Sequence, residues 1–288
     1  MEDKYHLTRE ENVFLAKKRW DESIYSGMRM ENRNVTFPQT QTILEGINVS
    51  GVALDDIQAI LNMRDGWKYL LSSLDADLDI RYLCALQERI AYREALSWGE
   101  LRTGSVGISG VKYAPPVPNE ETAERELIDQ LSAEGSTTEI ALDVFAWICR
   151  SQLFWDGNKR TALLAANKIL IERGAGILLV SDDKMAEFSL LLSDYYETGD
   201  GKRLKSFLYR SCIRGIDGAT TEDVRSASAR SARSSSWLKQ IRRERATTQK
   251  ELARSIGVST NAIANIEQGQ RKGSDAVWTK IERYFDVR

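Results

Sequence analysis

The sequence predicts a mainly α-helical protein carrying a second, small all-α domain at its C-terminal end, and three observations point there. Its 288 residues include only four prolines, Pro38, Pro115, Pro116 and Pro118, so nothing beyond residue 118 forbids continuous helix. Apolar residues in "ALDVFAWIC" (residues 141–149) and "LLAANKILIE" (residues 163–172) recur at helical spacing. Between two blocks with that spacing lies one without it, "GIDGATTEDVRSASARSARSSS" (residues 215–236), rich in Ser, Ala and Arg and free of aromatic residues. Such a stretch buries too little apolar surface to offset its ordering entropy and reads as a flexible linker.

The totals bound the function. With 42% hydrophobic and 28% charged residues and a mean hydropathy of -0.39, the chain has the composition of a soluble globular protein. No apolar run approaches the roughly 20 residues a membrane span needs, and "MEDKYH" at the start has no apolar signal core, so a cytoplasmic protein without a membrane partner is expected. Cys84, Cys149 and Cys212 lie far apart, with neither metal-ligand nor disulfide-framework spacing. Cys84 and Cys149 fall in apolar segments and read as small buried hydrophobes. The single histidine, His6, reads as a surface residue near the N-terminus, so no loop further along the chain contains a histidine of its own.

Taken in order, the segment Leu101–Pro118, "LRTGSVGISGVKYAPPVP", reads as extended. It combines Gly104, Gly107 and Gly110 with β-branched Val106, Ile108 and Val111 and ends on prolines. The helix through residues 141–149 then meets a corner, "RSQLFWDGNKRTA" (residues 150–162), where Asp156, Gly157 and Asn158 must turn the chain into the next helix. The first backbone N–H groups of that helix have no internal partner and, with the helix dipole, favour an anion. Gly157 permits close backbone approach, Arg160 offers a planar fork for phosphate oxygens, and Lys159 adds a point charge. Asp156 is a hard oxygen ligand for Mg²⁺ held against those phosphates. The plainer reading is a well-capped corner with solvated charges.

Residues 237–288 hold eleven Lys/Arg against six Asp/Glu, a net of +5. Since the whole chain is -2, residues 1–236 carry -7, and the small domain alone is suited to a polyanion. Its sequence parses into four short helices. Leu238 and Ile241 open the first, Thr247 or Thr248 caps the second, and Gly257 turns the chain. Ser259 caps a third helix with Ile263 and Ile266 inward, and Trp278, Ile281 and Phe285 give the last its apolar face. Two short helices joined across a glycine form the helix-turn-helix pattern. Thr260, Asn261 and Asn265 suit base edges, whereas Gln249, Arg242, Arg243 and Arg245 suit phosphates. A helical bundle used for dimerisation is the plainer alternative.

Two resemblances sharpen this reading. "TQKELARSIGVSTNAIANIEQG" resembles the phage-repressor-like (XRE/Cro-type) helix-turn-helix family almost without gaps. "LFWDGNKRTA" resembles the core motif of the Fic/Doc (Fido) family, His-x-Phe-x-(Asp/Glu)-Gly-Asn-x-Arg, with Phe154, Asp156, Gly157, Asn158 and Arg160 in register. The segment around Val106, Gly107 and Ile108 resembles that family's flap, a short β-hairpin that positions a target peptide. Thr40–Leu71 resembles the helical entry to its domain. The resemblance covers most of residues 35–213. It implies a Fic-fold domain over 1–214, a linker over 215–236 and a DNA-binding domain over 237–288. It further implies a nucleotide such as ATP with Mg²⁺, a protein target at the flap, and AMPylation or Doc-like phosphorylation of protein hydroxyls.

The departures from the pattern remove chemistry. The histidine that takes the proton from the target hydroxyl is Gln152, whose amide has no useful basicity. Lys159 stands where adenylylating members have glycine, and their second arginine is Leu163. The family's inhibitory motif nearly matches at Glu45-Gly46, with Gln41 in its hydroxyl position, so Glu45 is a candidate inhibitory or structural residue. Three readings follow. The first is a catalytically impaired nucleotide- or phosphate-binding domain coupled to DNA, in a transcriptional regulator or toxin-antitoxin-like protein. The second is an active transferase whose base is Asp156 or Glu45. The third is a dimeric repressor without ligand, bound to half-sites about one helical turn apart.

Overall fold

The computed structural model describes residues 1–216, 235–245, 247–271 and 273–285. The chain divides into two compact units, residues 1–217 and 218–288, each with its own apolar core. Residues 217–234 of the expected linker lie outside the described residues. Ser235 already opens a helix, two residues ahead of the boundary expected at Trp237.

The first unit contains α1 (Arg9–Lys18), α2 (Trp20–Met30), α3 (Phe37–Leu44), α4 (Leu54–Ser72) and α5 (Ile80–Ile90). After a long irregular segment follow α6 (Glu120–Leu131), α7 (Thr137–Ser151), α8 (Asn158–Glu172), α9 (Met185–Thr198) and α10 (Lys202–Cys212). Local chemistry sets many of the starts. Thr8 and Thr36 each form a capping box, with Glu11 and Gln39, while Asp79, Asn119 and Ser136 each accept from the backbone three residues on.

The unit is organised around α8, buried on every side apart from Lys159 and Glu172 and packed against α7, α5, α4, α1 and α2. A helix apolar all round belongs in the centre of a bundle, and "TALLAANKILI" has that composition. Two buried asparagines satisfy backbone that the helices leave open. Asn167 donates to Leu163 and Leu178 carbonyls and accepts from the Leu178 N–H; Asn12 exchanges both bonds with Gly176. A two-stranded antiparallel sheet, β1 (Ile177–Leu178) with β2 (Ile213–Arg214), pairs Ile177 with Arg214 and Leu178 with Ile213.

The mainly α class is therefore present, but the short β-hairpin expected at the flap is not. Residues 101–118 run without a ladder, with a turn at Ser109–Gly110 closed by the Val111 N–H on the Ile108 carbonyl at 3.1 Å. β-branched residues there predicted pairing, but side chains take over the backbone groups that a partner strand would use.

In the second unit α11 (Ser235–Glu244), α12 (Gln249–Ile256), α13 (Thr260–Glu267) and α14 (Asp275–Tyr284) enclose Leu238, Leu252, Ile256, Ile263, Ile266, Trp278, Ile281 and Phe285. Thr248 with Glu251 caps α12, Gly257 takes the left-handed turn at φ +73°, and Ser259 caps α13.

Candidate functional site

The corner between α7 and α8 is held by its own side chains. Helix α7 ends at Gln152 in the left-handed conformation, φ +46°, unusual for a residue with a side chain. Its amide Nε2 donates to the Cys149 carbonyl at 2.6 Å, and its Oε1 accepts from Asn158 Nδ2 at 3.3 Å. Asn158 also accepts from the Phe154 N–H at 2.9 Å and donates to the Phe154 carbonyl at 2.8 Å. Asn158 thus buckles the loop onto the first turn of α8. Gly157, at φ +77°, lets the backbone lie against the end of α5: a Cβ there would meet Ala91 Cβ at 3.3 Å. Asp156 Oδ1 accepts from the Gly157 N–H at 2.5 Å, and its side chain is 46% exposed.

Of the two basic residues of the corner, Arg160 is not open to solvent as a phosphate fork and Lys159 is half-buried. Arg160 is 0% exposed. Its Nη1 donates to the Ile90 carbonyl at 3.0 Å and to Glu94 at 3.0 and 3.2 Å. Glu31 and Asp156 each lie 3.7 Å from its remaining nitrogens, and Nε and Nη2 are buried without a hydrogen-bond partner. Lys159 Nζ donates to the Met30 carbonyl at 2.7 Å and pairs with Glu31 at 2.9 Å. The reason is electrostatic, since a guanidinium taken out of water requires counter-charge. Burial opposes its charge, but Glu31 and Glu94 outweigh that and hold Arg160 protonated above its ordinary range. Glu94, 6% exposed, also receives bonds from Arg33 and from Asn62 Nδ2, and Arg33 continues to Asp56 at 3.1 Å. Among the described residues, the non-glycine residues with positive φ are Asn32, Arg93 and Gln152; they adjoin Glu31, Glu94 and the corner itself. Such conformations store strain at functional sites.

Other expected residues fall elsewhere. Glu45 is exposed at the end of α3, and Leu163 is buried in the core. Val106 and Ile108 are half-buried and Gly107 exposed on the flap, whose Gly104 packs so tightly that a Cβ would meet Trp155 at 2.5 Å. Lys112 donates its backbone N–H to Glu197 at 2.7 Å. Burial pushes the Cys149 thiol and the Tyr196 phenol strongly up, and Tyr195 up to about 12, so these three groups hold their protons near neutral pH. Among the described residues Asp156 Oδ2 carries no hydrogen bond, and no three acidic, His or Cys side chains cluster around a metal position. Asp156 thus offers a single carboxylate oxygen, the type of hard ligand that Mg²⁺ takes. Beside the corner, a half-open cavity of about 490 Å³ is lined by Tyr113, Trp147, Arg150, Ser151 and Tyr195, with the Arg150 guanidinium 3.8 Å from the Tyr113 ring centroid.

In the second unit Thr260 and Asn261 are exposed at the start of α13, and Asn265 is half-buried one turn on. Arg243 is exposed and, with Lys239, Lys250 and Thr248, lines a cleft of about 540 Å³. Arg242 differs from the expectation of a phosphate ligand. It forks onto Glu267 at 2.7 and 3.2 Å and donates to the Thr247 carbonyl at 2.8 Å. Gln249 also donates to Glu267, at 2.7 Å. Burial of the Glu267 carboxyl works to raise its pKa, but the bonds from Arg242 and Gln249 outweigh it and hold the group below the ordinary carboxylate range.

Sequence reasoning missed Glu31, Arg33, Glu94, Arg102 and Glu267. None carries a local signature, and Glu94 stands 66 residues from the arginine it serves.

Residues 77–170 match the model of the Fic/DOC family, and residues 238–288 match a helix-turn-helix model. The chain is 26% identical over 182 residues to the protein adenylyltransferase Fic of Drosophila melanogaster, a match covering 60% of this chain and 36% of that protein. The match thus spans about a third of that relative. Fic-1 (residues 134–508) of C. elegans aligns with a TM-score of 0.57 at 19% identity, over 75% of this chain and 64% of that one. A Fic domain containing signaling protein from Bacteroides thetaiotaomicron aligns with a TM-score of 0.58 at 17% identity, over 77% and 89% of the two chains.

Proposed function

For a chain that joins a Fic/DOC-family domain to a helix-turn-helix domain, we propose the role of a DNA-binding regulator whose Fic domain holds a nucleotide or other phosphorylated ligand without transferring a group. The observation that carries this is Gln152. It stands where the motif has its base, and its amide is spent on Cys149 and Asn158. Loss of a general base costs about 10²–10⁴-fold in rate. Two features favour a phosphate at the same corner. The first N–H groups of α8 are unpaired within the helix, and two Arg160 nitrogens are buried without a partner. A phosphate at the helix start takes over the charge balance that Glu31 now supplies to Lys159 and Arg160. Mg²⁺, when bound at Asp156, would neutralise phosphate oxygens; the protein's own part is to orient the ligand through Asn158 and the flap.

Calorimetry with ATP, GTP and CDP, each with and without Mg²⁺, tests the reading. Micromolar to millimolar binding that weakens in Lys159→Ala supports it, and no heat with any nucleotide overturns it. Incubation with α- and γ-labelled ATP separates it from an active transferase, the reading favoured by the name of the Drosophila relative. The expected result is no label in protein from the native chain and label from Gln152→His. Gel shifts on a selected operator, with and without nucleotide, report the coupling to DNA.

A further inference from the structure

Arg102 is 1% exposed, and among the described residues no carboxylate pairs with it. Its guanidinium instead donates to four backbone carbonyls. Nε reaches the Gln152 carbonyl at 2.5 Å and Nη1 the Gly104 carbonyl at 2.5 Å, while Nη2 reaches the Pro115 and Pro116 carbonyls at 3.3 and 2.5 Å. Its own N–H donates to the Leu153 carbonyl at 3.0 Å. Residues 103–114 are thereby closed into a loop whose two ends meet on one side chain, and the same side chain grips the left-handed turn at Gln152. Desolvation lowers the pKa of this guanidinium, as an uncompensated buried cation requires. Only the planar, forked Arg head reaches carbonyls on three separate stretches at once; an ammonium is a point charge.

We propose that Arg102 is the positioning residue that locks the flap to the turn at Gln152, so that the two rims of the corner move as one body. Three neighbouring contacts add to this lock. Gly104 lies against Trp155, Glu197 holds the Lys112 N–H, and Arg150 stacks on Tyr113. The assignment rests on these contacts alone and stands whether or not the corner binds phosphate.

Cleavage of the native full-length chain after Lys112 by a lysine-specific protease reads the lock, with fragments identified by mass. In Arg102→Ala the cut is expected about tenfold faster or more, the factor for loss of one charge-assisted hydrogen bond. Millimolar guanidinium is expected to restore the native rate, and ammonium at equal ionic strength is not. A native rate in the folded variant overturns the proposal, as does failure of guanidinium to restore it. Should Arg102→Ala not fold, Arg102→Lys decides: faster cleavage supports the fork, and a native rate overturns it.

Discussion

Replacing Glu94 with Gln tests the charge network around Arg160 directly. The side chain keeps its shape and its bond from Asn62 but loses the charge that faces both Arg160 and Arg33. Arg160, wholly buried, retains Glu31 and Asp156 only at 3.7 Å. Breaking a buried pair by removing one partner costs about 3–5 kcal/mol, and Gln keeps some of the hydrogen bonding, so the lower figure applies: about 3 kcal/mol. For a unit of this size each kcal/mol moves Tm by roughly 2–4 °C, giving a fall of about 6–12 °C. Thermal unfolding followed by circular dichroism measures it in low-salt buffer. Added phosphate or sulfate is expected to recover more stability in the variant than in the native chain, since the vacated charge favours an anion. A variant within about 0.5 kcal/mol of native, with no extra response to anions, refutes the view that Glu94 is the counter-charge of a strained cluster.

Further outcomes are expected in the helix-turn-helix unit and at Gly157. Glu267→Gln is expected to destabilise the helix-turn-helix unit by roughly 2 kcal/mol, read from its own unfolding transition, because Arg242 and Gln249 both lose an ionised acceptor. Since the folded Glu267 pKa is depressed, its contribution is fully present above the unfolded carboxylate value of about 4.3 and fades as pH falls through the folded value, so an acid titration of Tm must show the native advantage shrinking below about pH 4. Arg243→Ala, at an exposed cation beside the cleft, is expected to weaken binding to all DNA sequences alike and to reduce the salt slope by about one, whereas Asn261→Ala changes the preferred operator. Gly157→Ala, at φ +77° and 3.3 Å from Ala91 Cβ, is expected to cost roughly 1–2 kcal/mol in a urea titration, and a neutral result there removes the argument for close packing of the corner on α5.

The amino-acid sequence by itself determined the helical class, the caps at Thr248 and Ser259, the turn at Gly257 and the corner 156–158, because each depends on side chains within a few residues of one another. It also placed Gln152 where the motif has a base, a matter of register alone. The flap pairing failed to appear because strand signals say what a segment prefers, while Arg102 and Glu197 decide what its backbone bonds to. The fate of the charges belonged to the tertiary structure altogether. Arg160 and Arg242 look alike in sequence to any solvated phosphate ligand, yet burial forces each to find a carboxylate, and which carboxylate is near depends on how distant helices pack. Sequence names the ionisable groups of a site; only packing sets how dry they are, and dryness decides which of them remain free to meet a ligand.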